Sequence, residues 1–102
     1  ICVLKGPDTY IADGNEESAD DVLVLTCGTP ALAKAGTGDV LAGSIGSLLA
    51  RGMEPKDACA LGAFVHARAG VLAAADSAEL CVTTEDVLVH LPHAIRALDR
   101  KL

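Results

Sequence analysis

Aromatic side chains are almost missing from these 102 residues, which hold one Phe, one Tyr and no Trp. Basic residues are scarce as well, with 8 Lys and Arg against 14 Asp and Glu and a net charge of −6. Single-stranded nucleic acid is held on aromatic platforms and phosphate backbones are tracked by basic stripes, so this composition argues against a direct nucleic-acid role. No uninterrupted apolar run approaches the roughly 20 residues a bilayer span needs, and no basic-then-apolar leader is visible, so no membrane partner is expected. The four cysteines, Cys2, Cys27, Cys59 and Cys81, form no Cys-x-x-Cys pair and have no clustered His beside them. They read as reduced, cytoplasmic thiols buried as small apolar residues, with no metal held by protein ligands.

What the chain does have is Ala, Leu and Val, which supply most of a 51% hydrophobic share and suit slim helices packed on a sheet. The length fits one core. The chain opens in mid-strand on Ile1-Cys2-Val3-Leu4-Lys5, and is expected to be a piece of something longer, residues 1–102 forming part of a single domain.

Ile1-Cys2-Val3-Leu4 reads as a strand covered on both faces, broken by Lys5-Gly6-Pro7-Asp8. Thr9-Tyr10-Ile11-Ala12 and Val22-Leu23-Val24-Leu25 read as two further strands. Between them, residues 16–21 carry four carboxylates without the glycine and ligand spacing of a calcium loop, which favours a solvated turn over a cation site. Residues 31–34 suit a short helical turn. A first helix starts near Gly38, with Leu41, Ile45, Leu48 and Leu49 as its sheet-facing stripe and Arg51-Gly52 at its end. Gly43 and Gly46 inside it suggest close packing or ligand approach. A second helix runs from Pro55 to about residue 75 on the stripe Ala58, Leu61, Val65, Ala69 and Leu72, kept slim by small residues. Thr83-x-x-Asp86 resembles a capping box and starts a third helix, which Pro92 is expected to kink or split and which ends among Arg96, Arg100 and Lys101.

The chemistry gathers at Ala35-Gly36-Thr37-Gly38-Asp39, a glycine loop opening the first helix. Glycines permit positive φ and close ligand approach, while the first helical N–H groups lack intrahelical acceptors. Gly36, Thr37 and Gly38 therefore suit an anion hole for a phosphate. Asp39 would repel that phosphate, unless it faces the attacking hydroxyl and takes its proton. The loop alone also admits a plainer reading, since acids are common in the first turn of any helix. His66, with no acid or nucleophile spaced to use it, is either structural or lines a nucleotide pocket without chemistry.

Three stretches carry a resemblance to a known family: Val3-Leu4-Lys5-Gly6-x-x-Thr9-x-Ile11-Ala12, the run Pro30-Ala31-Leu32-Ala33-x-Ala35-Gly36-Thr37-Gly38-Asp39-Val40-Leu41-Ala42-Gly43, and Ala60-Leu61-Gly62-Ala63-x-Val65-His66-x-x-Ala69-Gly70-x-Leu72-Ala73-Ala74. They resemble the C-terminal third of the ADP/ATP-dependent NAD(P)H-hydrate dehydratases, over nearly the whole chain except the acidic loop. The resemblance implies an α/β fold, ribokinase-like and three-layered α/β/α, of which this is the C-terminal portion. It implies that ADP or ATP, with Mg2+, phosphorylates the hydroxyl of hydrated NADH or NADPH, after which phosphate leaves. It places Lys5, Gly6, Pro7, Asp8, Thr9 and Gly38 at the nucleotide, and Asp39 at the hydrated substrate as base. A cytoplasmic homo-oligomer, possessing or working with a hydrate epimerase, is implied as well. The chain departs from the family pattern at Cys27-Gly28-Thr29, where Thr-Gly-Asn is usual, at Val71, where Asp is frequent, and at Ala35, where glycine is common. A small-molecule kinase of the same superfamily, of the hydroxymethylpyrimidine or thiazole type, is the second enzyme reading, and a fragment inactive by itself is the non-catalytic one.

Overall fold

A computed structural model describes residues 1–14, 22–26, 28–33 and 36–99. The acidic stretch 16–21, Cys27, residues 34 and 35, and the basic end at Arg100 and Lys101 lie outside the described residues. Three short strands come first, β1 (Cys2–Leu4), β2 (Thr9–Ala12) and β3 (Leu23–Leu25), and three helices follow, α1 (Thr37–Ala50), α2 (Pro55–Asp76) and α3 (Thr84–Asp99). This is the small sheet and helical layer expected of part of an α/β domain.

The sheet is antiparallel in the order β1-β2-β3, with Val3 opposite Ile11 and Thr9 opposite Leu25. Side chains alternate between faces along a strand, so Val3, Thr9, Ile11 and Leu25 share one face. Helices cover that face: Ile11 is fully buried with Leu41 of α1 and with Cys59 and Ala63 of α2, and Val3, Leu25 and Ile45 pack around them. The opposite face carries Leu4, Tyr10 and Val24, and Leu4 is 63% exposed. The expectation of a strand covered on both faces is therefore corrected, because the chain supplies helices to one side only among its described residues.

α2 is the axis of the packing. It meets the sheet and α1 on one side, while Val65, Ala69 and Ala73 on its other side form a second core cluster with Val82, Val87 and Ala94. Its slimness has a measurable basis: a Cβ at Gly62 would stand 2.7 Å from Ile45 Cγ1, and one at Gly70 would stand 2.8 Å from Leu32 Cδ2. By length and composition α2 could cross a membrane, but more than half of its most apolar window is buried against the rest of the chain. Its apolarity is thus spent on the core.

Several local expectations need revision. On α1, Leu41 and Ile45 pack toward the sheet, whereas Leu48 borders a cavity against α3 and Leu49 is exposed. A Cβ on Gly43 or Gly46 would meet nothing within 4 Å, so neither marks close packing. Gly52 does end α1's turn at φ 90°, a conformation that favours glycine. α3 runs through Pro92 without splitting. A proline there removes one ladder bond, and the apolar contact of Val87, Leu91, Ala94 and Leu98 with the α2 cluster offsets the loss. Cys59 is buried as expected, but Cys2 and Cys81 are exposed; all three are free thiols.

Candidate active site

Antiparallel pairing brings the turn after β1, the start of β2 and the end of β3 to one end of the sheet. A cavity of about 570 Å³ opens there, lined by Lys5, Gly6, Pro7 and Thr9 from the first two strands and by Leu25, Gly28, Thr29 and Pro30 after β3. Thr37 and Leu41 of α1 and His66 of α2 close its floor. Four of the six residues proposed from the sequence for the nucleotide thus line one cavity, and Asp8 and Gly38 do not.

The glycine loop borders this cavity from the helical side. Gly36 has φ 93°, a backbone that L side chains rarely adopt, and no side chain caps the N-terminus of α1. Asp39 N–H and Val40 N–H both donate to Gly36 O, so the helical ladder begins at Asp39 and Val40, behind Gly38. Lys5 reaches across to this point: a Cβ at Gly38 would stand 2.6 Å from Lys5 Nζ. An ammonium over the positive end of a helix dipole is unfavourable by itself. An anion between them turns both into attractors.

Thr37 is buried, and its hydroxyl donates inward to Leu32 O at 2.7 Å. Any contribution it makes to an anion therefore comes from its backbone. Asp39 is exposed and belongs to a different space, a groove of about 830 Å³ between α1 and α3 that Gly36, Gly43 and Ser44 also line. The structure therefore does not bring Asp39 and Lys5 into one cavity. It sets them in two spaces that meet at the Gly36-Thr37-Gly38 loop, Thr37 lining the first and Gly36 the second.

His66 is buried, with Nε2 2.9 Å from Thr37 O. Burial pushes its imidazole below the ordinary value of 6.5, the bond to Thr37 opposes that push, and Lys5 adds to it. A neutral ring in this place donates Nε2–H to the carbonyl.

Sequence reasoning missed two contributors. A Cβ at Gly28 would run into the carbonyl of Pro7, so Gly28 is what lets the turn after β1 and the segment after β3 close on each other. Thr29 Oγ1 accepts from Ala31 N–H and caps the short 3-10 turn Pro30–Leu32 that forms the cavity wall. The turn chemistry of Gly28-Thr29-Pro30 was a usable signal for both. The tie from His66 to Thr37 was not legible, since its partner is a backbone carbonyl 29 residues away. Among the described residues no three His, Cys, Asp or Glu side chains gather as a metal site.

Comparison with known proteins identifies the family. The family model described as NAD(P)H-hydrate dehydratase matches residues 1–93. The chain is 38% identical to a bifunctional NAD(P)H-hydrate repair enzyme Nnr of Moorella thermoacetica, over 100% of this chain and 18% of that protein. It is 37% identical to an ADP-dependent (S)-NAD(P)H-hydrate dehydratase of Cenarchaeum symbiosum, over 96% of this chain and 32% of that one. A Nnr enzyme of Mycobacterium leprae is 41% identical over 94% of the chain and 20% of its own length. The chain thus spans between about a fifth and a third of the length of these relatives.

Proposed function

The chain belongs to the NAD(P)H-hydrate dehydratase family, and we propose that it supplies the nucleotide and phosphoryl-transfer corner of an enzyme that dehydrates hydrated NADH or NADPH at the expense of ADP or ATP. The observation that carries this reading is the placement of Lys5 Nζ over Gly38 at an uncapped helix start, with Asp39 on the far side of the same loop. The nucleotide occupies the cavity lined by Lys5, Gly6, Pro7 and Thr9, with Asp8 at its margin. Its terminal phosphate lies against the backbone of Gly36, Thr37 and Gly38. Asp39 accepts the proton of the substrate hydroxyl, whose oxygen then bonds to the terminal phosphorus as the bridging P–O bond of the nucleotide breaks. Negative charge that builds on the phosphoryl oxygens meets the Lys5 ammonium and the N–H of Gly38.

The second half of the reaction follows from leaving-group chemistry. Hydroxide leaves carbon poorly and phosphate leaves well, so the phosphorylated intermediate loses inorganic phosphate with its C–O electron pair, a ring proton is released, and the double bond returns. The net change is dehydration coupled to nucleotide cleavage. A magnesium ion belongs to this scheme as a partner of the nucleotide's phosphates. Mg2+ commonly keeps several waters and takes one or two carboxylates, which fits a site without a protein cage among the described residues. When bound it would neutralise phosphate charge, and Asp39 is the carboxylate nearest the loop.

Residues 1–102 are proposed as part of a single nucleotide-binding domain of a cytoplasmic homo-oligomer. The bare apolar sheet face with Leu4, Tyr10 and Val24 supports burial against further protein. Relatives bear the name bifunctional repair enzyme, which supports a hydrate epimerase carried by, or working beside, the intact protein. The test is to incubate the intact protein with hydrated NADH, magnesium and ADP or ATP, following NADH absorbance and free phosphate together. Recovery of NADH that depends on nucleotide and matches phosphate release is the expected result, and its donor preference identifies the nucleotide. A stable phosphorylated product without phosphate release would assign the chain to the small-molecule kinases instead.

A further inference from the structure

We infer that His66 is a positioning residue of the anion hole, which aims the Gly38 N–H at the phosphate by holding the carbonyl of the peptide that carries it. The inference rests on the phosphoryl-transfer reading of the loop. Thr37 C=O and Gly38 N–H belong to one peptide unit, and that unit is planar and trans, so its oxygen and its hydrogen point in opposite directions. Fixing one fixes the other. His66 Nε2 lies 2.9 Å from Thr37 O and comes from α2, the helix that packs against the sheet, α1 and α3. Thr37 is tied a second time, by its hydroxyl to Leu32 O at 2.7 Å. The two ties differ in what they control. The hydroxyl bond locates the Cα of Thr37, while the imidazole bond sets the rotation of the peptide plane beyond it.

That plane is in need of control. Thr37 and Gly38 open α1, and the torsions that turn the plane are ψ of Thr37 and φ of Gly38, of which glycine leaves the second broad. The plane lies in the first turn of the helix, where the N–H groups have no intrahelical acceptor, and a carbonyl tether steadies an end that otherwise frays. A donor held in place before the charge develops costs no reorganisation during transfer. The imidazole suits the task because it is enclosed. Its ring is in the tautomer with hydrogen on Nε2, since a carbonyl only accepts, and its burial favours the neutral ring that this donation needs.

The experiment compares three forms of the intact protein. His66→Phe fills the same space without a donor, and His66→Gln returns an N–H near the position of Nε2. The amide signal of Gly38, by NMR, is followed during titration with ADP, and turnover of hydrated NADH is measured alongside. In the unsubstituted protein ADP is expected to shift the Gly38 amide strongly. In His66→Phe that shift is expected to collapse and kcat to fall by about 10- to 100-fold, the range for a misplaced group, with a smaller change in KM for the nucleotide and an unaltered far-UV spectrum. His66→Gln is expected to restore most of both. A full ADP shift and near-normal kcat in His66→Phe would overturn the positioning role while leaving the phosphate site intact. A Gly38 amide that ADP does not move in the unsubstituted protein would overturn the phosphate reading itself. Should the Phe form not fold, the ring nitrogen signals of unsubstituted His66 decide the matter: hydrogen on Nε2 is required, and hydrogen on Nδ1 with a bare Nε2 would overturn the inference.

Discussion

α1 and α3 begin beside each other, with a Cβ at Gly36 only 3.2 Å from Thr84 Oγ1, yet they meet the same physical demand in opposite ways. Every helix starts with N–H groups that have no acceptor in the helix. α3 satisfies its own: Asp86 N–H donates to Thr83 Oγ1 at 3.1 Å, and Thr83 N–H donates back to Asp86 Oδ2 at 2.9 Å. That reciprocal box also draws the Asp86 carboxyl below its usual value, chiefly through the Thr83 N–H. α1 has a left-handed glycine at the same position and no side-chain cap. It is braced from behind instead, by Leu32 O on the Thr37 hydroxyl and by His66 on the Thr37 carbonyl. A start capped by its own side chains has its cap position filled, whereas one braced through a hydroxyl and a carbonyl leaves that position without a side chain. The difference is what supports reading one helix start as structural and proposing the other as the phosphate site.

Asp39 is where that contrast should break most sharply. Asp39→Asn leaves the loop backbone untouched and removes only the proton acceptor, so turnover of hydrated NADH in the intact protein is expected to fall by about two to four orders of magnitude. Nucleotide affinity should be nearly kept. Near-normal turnover would take Asp39 out of the mechanism and reduce it to an ordinary first-turn acid. Lys5→Ala tests the other side of the loop. Loss of a charge-assisted contact is expected to weaken ADP or ATP binding by roughly 10- to 100-fold, with binding left more tolerant of salt. Calorimetry that returned an unchanged affinity would remove Lys5 from the phosphate site.

The capping box of α3 was fully legible, because Thr83-x-x-Asp86 is local and both of its hydrogen bonds close within four residues. So were the glycine loop and the helix boundaries, which rest on Gly, Pro and 3.6-residue periodicity. The strand β1 misled in one respect. Its short apolar run implied burial on both faces, but burial depends on what other segments arrive, and Leu4 stays exposed. The close-packing half of the reading of Gly43 and Gly46 failed for a related reason. A helical glycine shows where a Cβ is absent and not what lies opposite, and here the close approaches are at Gly62 and Gly70. That Asp39 and Lys5 face different cavities, and that His66 holds Thr37, were beyond the sequence, since both depend on how α1 rotates against α2 and the sheet.

Substitutions at the two helix starts sharpen the comparison at lower cost. Gly36→Ala forces a Cβ into φ 93° and against Thr84 Oγ1, which is expected to cost about 1–2 kcal/mol and to reduce turnover as well, because the loop moves. Thr83→Ala is expected to cost about 1 kcal/mol with turnover unchanged. Chemical denaturation and activity measured on the same two variants give the readout. Equal losses of activity in both would mean that the two helix starts do not differ in role.

The smallest effect is a matter of pH and contrasts two histidines. His66, buried and neutral, loses its favourable state as pH falls through its lowered value. His90 does the reverse. Its Nε2 lies 2.7 Å from Asp76 Oδ2 and its Nδ1 2.6 Å from Asp86 O, clipping the end of α2 to the first turn of α3. Both partners are acceptors, so the ring satisfies them together only as an imidazolium. The side-chain bond to Asp76 is the main cause that raises its pKa above 6.5, followed by the bond to Asp86 O. A raised folded-state value means that this clip contributes fully below pH 6.5, the value of the unfolded chain, and that its contribution is lost as pH rises through the folded value. Asp76 is open to water, with 75% of its side chain exposed, so screening keeps the effect small. The melting temperature of the unsubstituted protein should therefore exceed that of His90→Gln by a few degrees at most in mild acid, and the gap should close as pH rises and as salt is added. A gap that widened with pH would mean that His90 works as a neutral ring and that the clip between α2 and α3 is not an ion pair.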